Sequence, residues 1–425
     1  MKFDYGKEGL EFNLDPSWNT TIFHPAKQDV LKEPKKKIKE VIKNPIGCLP
    51  LKEIVKSKDN LRTVCIVVSD ATRPVPSHLI LKPLIEELND YSILDHQITI
   101  LIATGLHRPS HEDELERILG KDLKNRIKTI DHVATDIDSM IDLGKISENI
   151  PIFINKYYYK ADLKIITGYV EPHFFFGFAG GRKSIIPGIS GAQTIQANHS
   201  AELISSPHAR FGVYKENPMH KNSIEGCKLV GVDFIINVCI NENHQITQVG
   251  AGDIEKTHEK LVSYQMKHIF KEIKEPYDIV ICGNGGYPLD INLYQAVKSM
   301  AIGEMGVKKG GTIISVNECA DGIGIGQDKF KDLLFSGMSP EQMYKKILKK
   351  EIVVPDQWEI QVLTRILMKA EIFVVSKLQE SELGNIGLKY AETIEEAIKI
   401  SLKNHGPKAR ILILPNGPQI LPFLV

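Results

Sequence analysis

No Cys-X-X-Cys pair occurs among the six cysteines, Cys48, Cys65, Cys227, Cys239, Cys282 and Cys319. That excludes zinc-ribbon and thioredoxin-type chemistry. Cys65, Cys239 and Cys282 lie inside apolar, strand-like runs and read as inert core thiols. There is no surplus of charge of either sign: Lys+Arg and Asp+Glu both number 53. A general nucleic-acid binder needs a basic excess to neutralise phosphates, so that class is excluded. No apolar run is long enough to span a bilayer. The opening MKFDYGKEGLEFNL lacks the basic-then-apolar layout of a secretory signal. The expected compartment is the reducing cytoplasm. Internal repeats, low-complexity tracts, HExxH, GxSxG and EF-hand patterns are also missing.

What is present is a series of short β-rich runs, each followed by glycine, a capping residue or a helical pattern. They are Thr63–Ser69, Ile98–Ala103, Leu163–Thr167, Phe234–Cys239, Asp278–Cys282, Thr312–Val316, Ile372–Ser376 and Ile411–Leu414. Continuous apolar strands alternating with helices indicate parallel sheets with crossover helices. Ser110, Asp290 and Thr393 are the expected helix caps, each ahead of a helical stretch. The basic run Lys35–Lys37 reads as a solvated helix face. The polar stretch Lys267–Tyr277 separates two sets of strands. The expectation is an α/β protein of two domains, residues 1–270 and 271–425, with mainly parallel sheets flanked by helices. Ligands of such sheets sit at the carboxyl ends of the strands.

Four segments carry groups suited to chemistry. After the first strand comes Ser69-Asp70-Ala71-Thr72-Arg73-Pro74, in which Arg73 can fork onto a carboxylate or phosphate. A turn with a surface ion pair would look the same. After the second comes Ala103-Thr104-Gly105-Leu106-His107-Arg108, whose histidine can titrate near neutrality. The third runs from Gly168 to Gly191 and holds six glycines together with His173 and Lys183. Glycine and proline at this density imply a tightly shaped loop. Phe174, Phe175 and Phe176 could wall a dry pocket or fill the core. The run Gly177–Ser184 is not a phosphate-binding P-loop, because Arg182 separates Gly181 from Lys183. His199, in Ala197-Asn198-His199-Ser200, stands sixteen positions beyond Lys183. The fourth segment, Asp290–Lys298, places Gln295 and Lys298 at i and i+3 on one helix face, a good carboxylate clamp. Gly283-Asn284-Gly285-Gly286 lacks dinucleotide-binding spacing. Spacing alone leaves the reaction open.

In their order, the segments SDATRP, ATGLHR, GYVEPHFFFGFAGGRKSIIPG, NHS and DINLYQAVK resemble the LarA-type nickel-pincer lactate racemases. The resemblance runs over nearly the whole chain, and EPHFF…GGRK…PG is its most specific part. Ala179 departs from it, since serine is expected there in many relatives. The resemblance implies an isomerase that interconverts D- and L-lactate by proton-coupled hydride transfer through pyruvate. The implied cofactor is a nickel pyridinium-3,5-bisthiocarboxylate mononucleotide joined to Lys183, with His199 as metal ligand. Asp70, Ala71, Thr72 and Arg73 would contact the mononucleotide. His107 and His173 would be the two acid/base groups. Arg73, Gln295 and Lys298 would hold the substrate, with Trp358 nearby, in a cleft between the domains. Other proteins would have to synthesise the cofactor. Two further readings stay open: a racemase or epimerase of another small 2-hydroxy acid, and a non-catalytic carboxylate- or nucleotide-binding protein.

Overall fold

A computed structural model describes residues 1–425. In chain order the strands of the two main sheets are β1 (Asn19–Ile22), β2 (Val64–Ser69), β3 (Ile98–Ala103), β4 (Lys128–Asp131), β5 (Leu163–Tyr169) and β6 (Phe234–Ile240). They continue as β7 (Ile246–Gly252), β8 (Tyr277–Gly283), β9 (Val307–Val316), β10 (Glu371–Val375), β11 (Lys389–Tyr390) and β12 (Arg410–Leu414). The chain is α/β with mainly parallel sheets, as its apolar runs predict. Each run expected from sequence overlaps one of these strands.

One compact unit comprises Gln28–Met266. Its sheet has the order β7-β6-β5-β2-β3-β4, parallel except for β7. Ile66, Ile100, Ile165 and Ile236 are fully buried on these strands. Burying each such side chain contributes about 1.5–3 kcal/mol before conformational entropy is charged. Helix α1 (Pro34–Lys43) starts on proline and buries Ile38 and Ile42, spaced i and i+4, while its lysines face solvent. Helices α2 (Ala192–Asn198), α3 (Pro218–Val230) and α4 (Ile254–Ile269) follow the glycine-rich segment. Chain order reverses between β2 and β5, which makes the carboxyl ends of these strands the switch point of the sheet.

The second unit is discontinuous, Met1–Lys27 with Lys267–Val425. Its sheet, β11-β10-β9-β8-β12-β1, is parallel throughout. Here the structure corrects the expected domain limits. Residues 1–27 belong to the second unit, because β1 adds to β12 with Asn19 opposite Arg410 and Ile22 opposite Ile413. Helices α5 (Leu293–Gly306), α6 (Gln357–Leu367) and α7 (Ile394–His405) flank this unit's strands in sequence.

Of the three expected caps, Thr393 holds its place, with its hydroxyl accepting from Glu396 N at 3.1 Å. The other two are displaced. Asn292 caps α5, accepting from Gln295 N at 2.9 Å, while Asp290 is fully buried and accepts from Gly6 N and Glu318 N. His111 takes the place expected of Ser110, whose hydroxyl instead donates to Asp131. Asp290 and Asn292, two residues apart, are equally good caps by local chemistry, and the long-range partners Gly6 and Glu318 take Asp290. No helix is long and apolar enough to cross a membrane.

Candidate active site

Three loops leave the carboxyl ends of β2, β3 and β5. After β2 the chain turns tightly, with Arg73 N donating to Asp70 O at 3.2 Å. The Asp70 carboxylate is buried, accepting from Thr72 Oγ1 at 2.8 Å and meeting His107 Nδ1 at 2.7 Å. Burial alone would raise this carboxyl. The His107 hydrogen bond and charge, then Arg73 and Thr72, outweigh burial and hold it below the usual carboxylate range. Nδ1–H of His107 therefore points at Asp70, which leaves Nε2 as the nitrogen facing away from the carboxylate. About half of the His107 side chain is open to solvent. An acid-oriented, accessible imidazole is the arrangement of a general base.

The β3 loop is tied to the glycine-rich segment. Gly105, at φ +56°, donates its N–H to Gly188 O at 3.0 Å; from the end of β4, His132 Nε2 lies 2.9 Å from Ser190 O. The segment itself is pinned to the sheet beneath it. Ser184 Oγ donates to Thr167 O at 3.0 Å, and Gly181 N donates to Asn237 Oδ1 at 2.8 Å. A side chain at Gly177 would strike Val213 O at 1.9 Å, so the glycine is required by close approach as well as by its φ of +76°.

A two-residue antiparallel hairpin, Pro172–His173 against Gly177–Phe178, carries the three phenylalanines at its tip. All three are buried. His173 stacks on Phe174 with centroids 5.1 Å apart and meets Phe175 and Phe176 edge-on at 4.6 and 5.4 Å. Its Nδ1 accepts from Phe176 N at 3.3 Å. Phe175 and Phe176 also meet His199, at 5.5 and 5.4 Å. Lys183 Nζ lies 4.4 Å from the centre of the Phe176 ring. Phe176 thus touches His173, Lys183 and His199, which the sequence spreads over 27 residues. The phenylalanines are buried as core residues, and Phe175 and Phe176 at the same time pack against His173 and His199.

His199 ends α2 and is buried, with Nδ1 at 2.9 Å from Ile195 O. Burial, then the Lys183 charge, push its pKa down to about 3. The imidazole is neutral near pH 7, and the Ile195 contact leaves the lone pair on Nε2, the form in which histidine ligates a metal. No group of three or more His, Cys, Asp or Glu gathers in a metal-holding cluster.

In the second unit, Gln295 and Lys298 share one face of α5, and Lys298 Nζ donates to Gln295 Oε1 at 2.6 Å. Sequence reasoning missed their neighbours Tyr294, Asp356 and Glu359. Tyr294 hydroxyl donates to Asp356 Oδ1 at 3.0 Å and is hydrogen-bonded with Trp358. Glu359 is buried. Burial pushes its carboxyl up to about 8, with Lys298 opposing and Asp356 adding to the rise. The signal for Tyr294 was in view, inside the quoted DINLYQAVK. Nothing local marks Glu359.

A doubly wound sheet with an Asp70-bound histidine beyond its strand ends, and a lysine and two more histidines around Phe176, is a layout suited to an enzyme site. Residues 5–212 match the lactate racemase N-terminal domain and residues 273–421 the lactate racemase C-terminal domain. The chain is 36% identical to a lactate racemase of Thermoanaerobacterium thermosaccharolyticum, over 99% of this chain and 98% of that one. It is 39% identical to one of Lactiplantibacillus plantarum, over 89% of each. It superposes on the lactate racemase apoprotein of the former organism with a TM-score of 0.91, covering 99% of both chains at 35% identity. A Thermotoga maritima protein at 20% identity shares the fold, with a TM-score of 0.70. The chain belongs to the lactate racemase family, and so is an isomerase.

Proposed function

We propose that this enzyme interconverts D- and L-lactate with a nickel pyridinium-bisthiocarboxylate mononucleotide held on Lys183 and His199. The observation that carries the reading is the Phe176 ring, which touches the proposed tether, the proposed metal ligand and one proposed acid/base histidine. The residues fit such a group. Lys183 sits against an aromatic wall, where acylation would remove a charge that a dry pocket solvates badly. His199 offers one neutral imidazole, sufficient for a metal that brings its other ligands with it. When bound, the group supplies a hydride acceptor and donor at the α-carbon, so that lactate passes through planar pyruvate.

The chain supplies the rest. Either enantiomer must find a base on its own side, so two are needed. His107 Nε2 takes or returns the hydroxyl proton on one side and His173 on the other. Asp70 fixes the His107 ring, while Ala71, Thr72 and Arg73 contact the mononucleotide. By the family resemblance, Arg73, Gln295 and Lys298 would hold the substrate carboxylate and polar edge. Buried phenylalanines beside His173, Lys183 and His199 would keep water from a bound group there, which would strengthen these interactions.

The test is the intact mass of the chain produced together with cofactor-synthesis proteins, with a parallel assay on D- and L-lactate. The expected result is a cofactor-sized adduct mapping to Lys183 and racemisation in both directions. A bare mass in an actively racemising preparation would reject the covalent reading.

Asp70→Asn tests the oriented histidine. An amide can donate to Nδ1 and select the wrong tautomer, so kcat should fall by roughly 10²–10⁴-fold while KM changes little. The folded Asp70 pKa lies below its usual value, so its stabilisation is present above the usual carboxylate pKa and is lost as pH falls through the folded value. The variant should therefore lose less stability than the parent on acidification below about pH 4. An unchanged kcat would return Asp70 to a purely structural role.

A further inference from the structure

Arg182 broke the P-loop pattern in the sequence and has no part in the chemistry above, yet it is among the largest side chains with no solvent exposure. A buried guanidinium is costly unless its charge and donors are met. None of its partners is a carboxylate. Nη2 donates to Phe176 O at 3.0 Å, and Nη1 donates to Gly180 O at 3.3 Å and lies 3.0 Å from His258 Nε2. His258, from α4, is also buried. Its Nε2 is 2.8 Å from Ala179 O and its Nδ1 is 3.2 Å from the Tyr214 hydroxyl. Three carbonyls of the glycine-rich loop, at Phe176, Ala179 and Gly180, therefore turn inward onto one buried pair. If the loop moved, the charge would lose its acceptors.

The next residue is Lys183, whose own N–H donates to the same Gly180 O at 3.2 Å. The loop also sets Phe176, the ring over which Lys183 Nζ rests. We infer that Arg182, with His258 beside it on Ala179 O, is a positioning residue that fixes the glycine-rich loop and so presents the Lys183 amine for attachment. The inference rests on the proposed tether at Lys183. The planar fork matters as well as the charge, because one guanidinium spans two carbonyls and a lysine ammonium does not reproduce that geometry.

The experiment uses the full chain with Arg182→Gln, Arg182→Lys and His258→Asn, each made with and without cofactor-synthesis proteins. Amide exchange over residues 174–184 reads the loop, and intact mass reads attachment. In Arg182→Gln, exchange in that loop should rise about tenfold or more while the strands of the same unit keep their protection. Attachment at Lys183 should fall at least about tenfold, since a misplacement of order 1 Å costs up to about a hundredfold in a positioned reaction. Arg182→Lys should recover part of both. Should Arg182→Gln fail to fold, His258→Asn, which keeps the guanidinium, should show the same changes at smaller size. Parent-like exchange, or a loosened loop with parent-like attachment, overturns the inference. If the parent chain takes no adduct, the tether reading fails by itself, and unchanged loop exchange would then overturn the hold of Arg182 on the loop.

Discussion

Lys183→Ala, produced alongside cofactor-synthesis proteins, should carry no adduct and show no racemisation above background. Its intact mass should equal that of the bare chain. Losing the group that supplies hydride transfer removes the chemical step itself, so the expected fall is about 10⁶-fold or more, the lower end of ordinary enzymic acceleration. The fold should survive. Lys183 is only partly buried, and its loop is pinned by Ser184, Gly181 and Arg182 through bonds the substitution leaves intact. Removing the ammonium also removes a charge that depresses His199. Far-ultraviolet circular dichroism and a thermal melt should match the parent. Parent-like racemisation by a folded variant would end the covalent reading, whatever the fate of the rest of the site.

The second large effect is expected at the two histidines. His107→Ala and His173→Ala should each stop racemisation in both directions, by on the order of 10²–10⁴-fold. One histidine begins each full reaction and the other completes it. Each variant should still form pyruvate from one enantiomer only, and the competent enantiomer should differ between the two. His107 is half exposed but partners the buried Asp70 carboxylate, so its truncation should lower stability modestly, and less at acid pH where Asp70 is protonated. His173 packs against three phenylalanine rings, so His173→Ala should also lower the melting temperature, and His173→Asn separates packing from chemistry. Each variant is given pure D- or pure L-lactate, and bound pyruvate and the opposite enantiomer are measured. If either variant racemises near the parent rate, two-sided acid/base catalysis is wrong and that histidine is structural.

Much of the architecture was legible because it is written locally. Val64–Ser69 and Ile98–Ala103 are buried on both faces, and strands of that kind are continuous apolar runs in any sequence. The glycine-rich segment announced a shaped loop through composition alone. Asp70, His107 and His173 were visible as polar groups just beyond strands. The resemblance to a known family supplied their roles, and spacing did not. The contacts that couple them were not legible. That Asp70 grips His107, 37 residues away, follows from β2 and β3 lying side by side with Ser69 opposite Ala103. Arg182 looked like an interruption of a phosphate-loop pattern, because burial with no acidic partner cannot be read from neighbours in sequence.

The sequence by itself therefore determined the α/β class, most strand positions, the Thr393 cap and which segments carry the candidate groups. These depend on side-chain periodicity, capping and backbone freedom within a few residues. Tertiary structure alone decided that β1 joins a strand beginning near residue 410, that Asn292 caps α5 while Asp290 serves Gly6 and Glu318, and that Phe176 brings His173, Lys183 and His199 together. The reason is physical. Which groups meet depends on which strands pair and which buried polar atoms must be satisfied at once, a balance over residues up to hundreds apart that no local window contains.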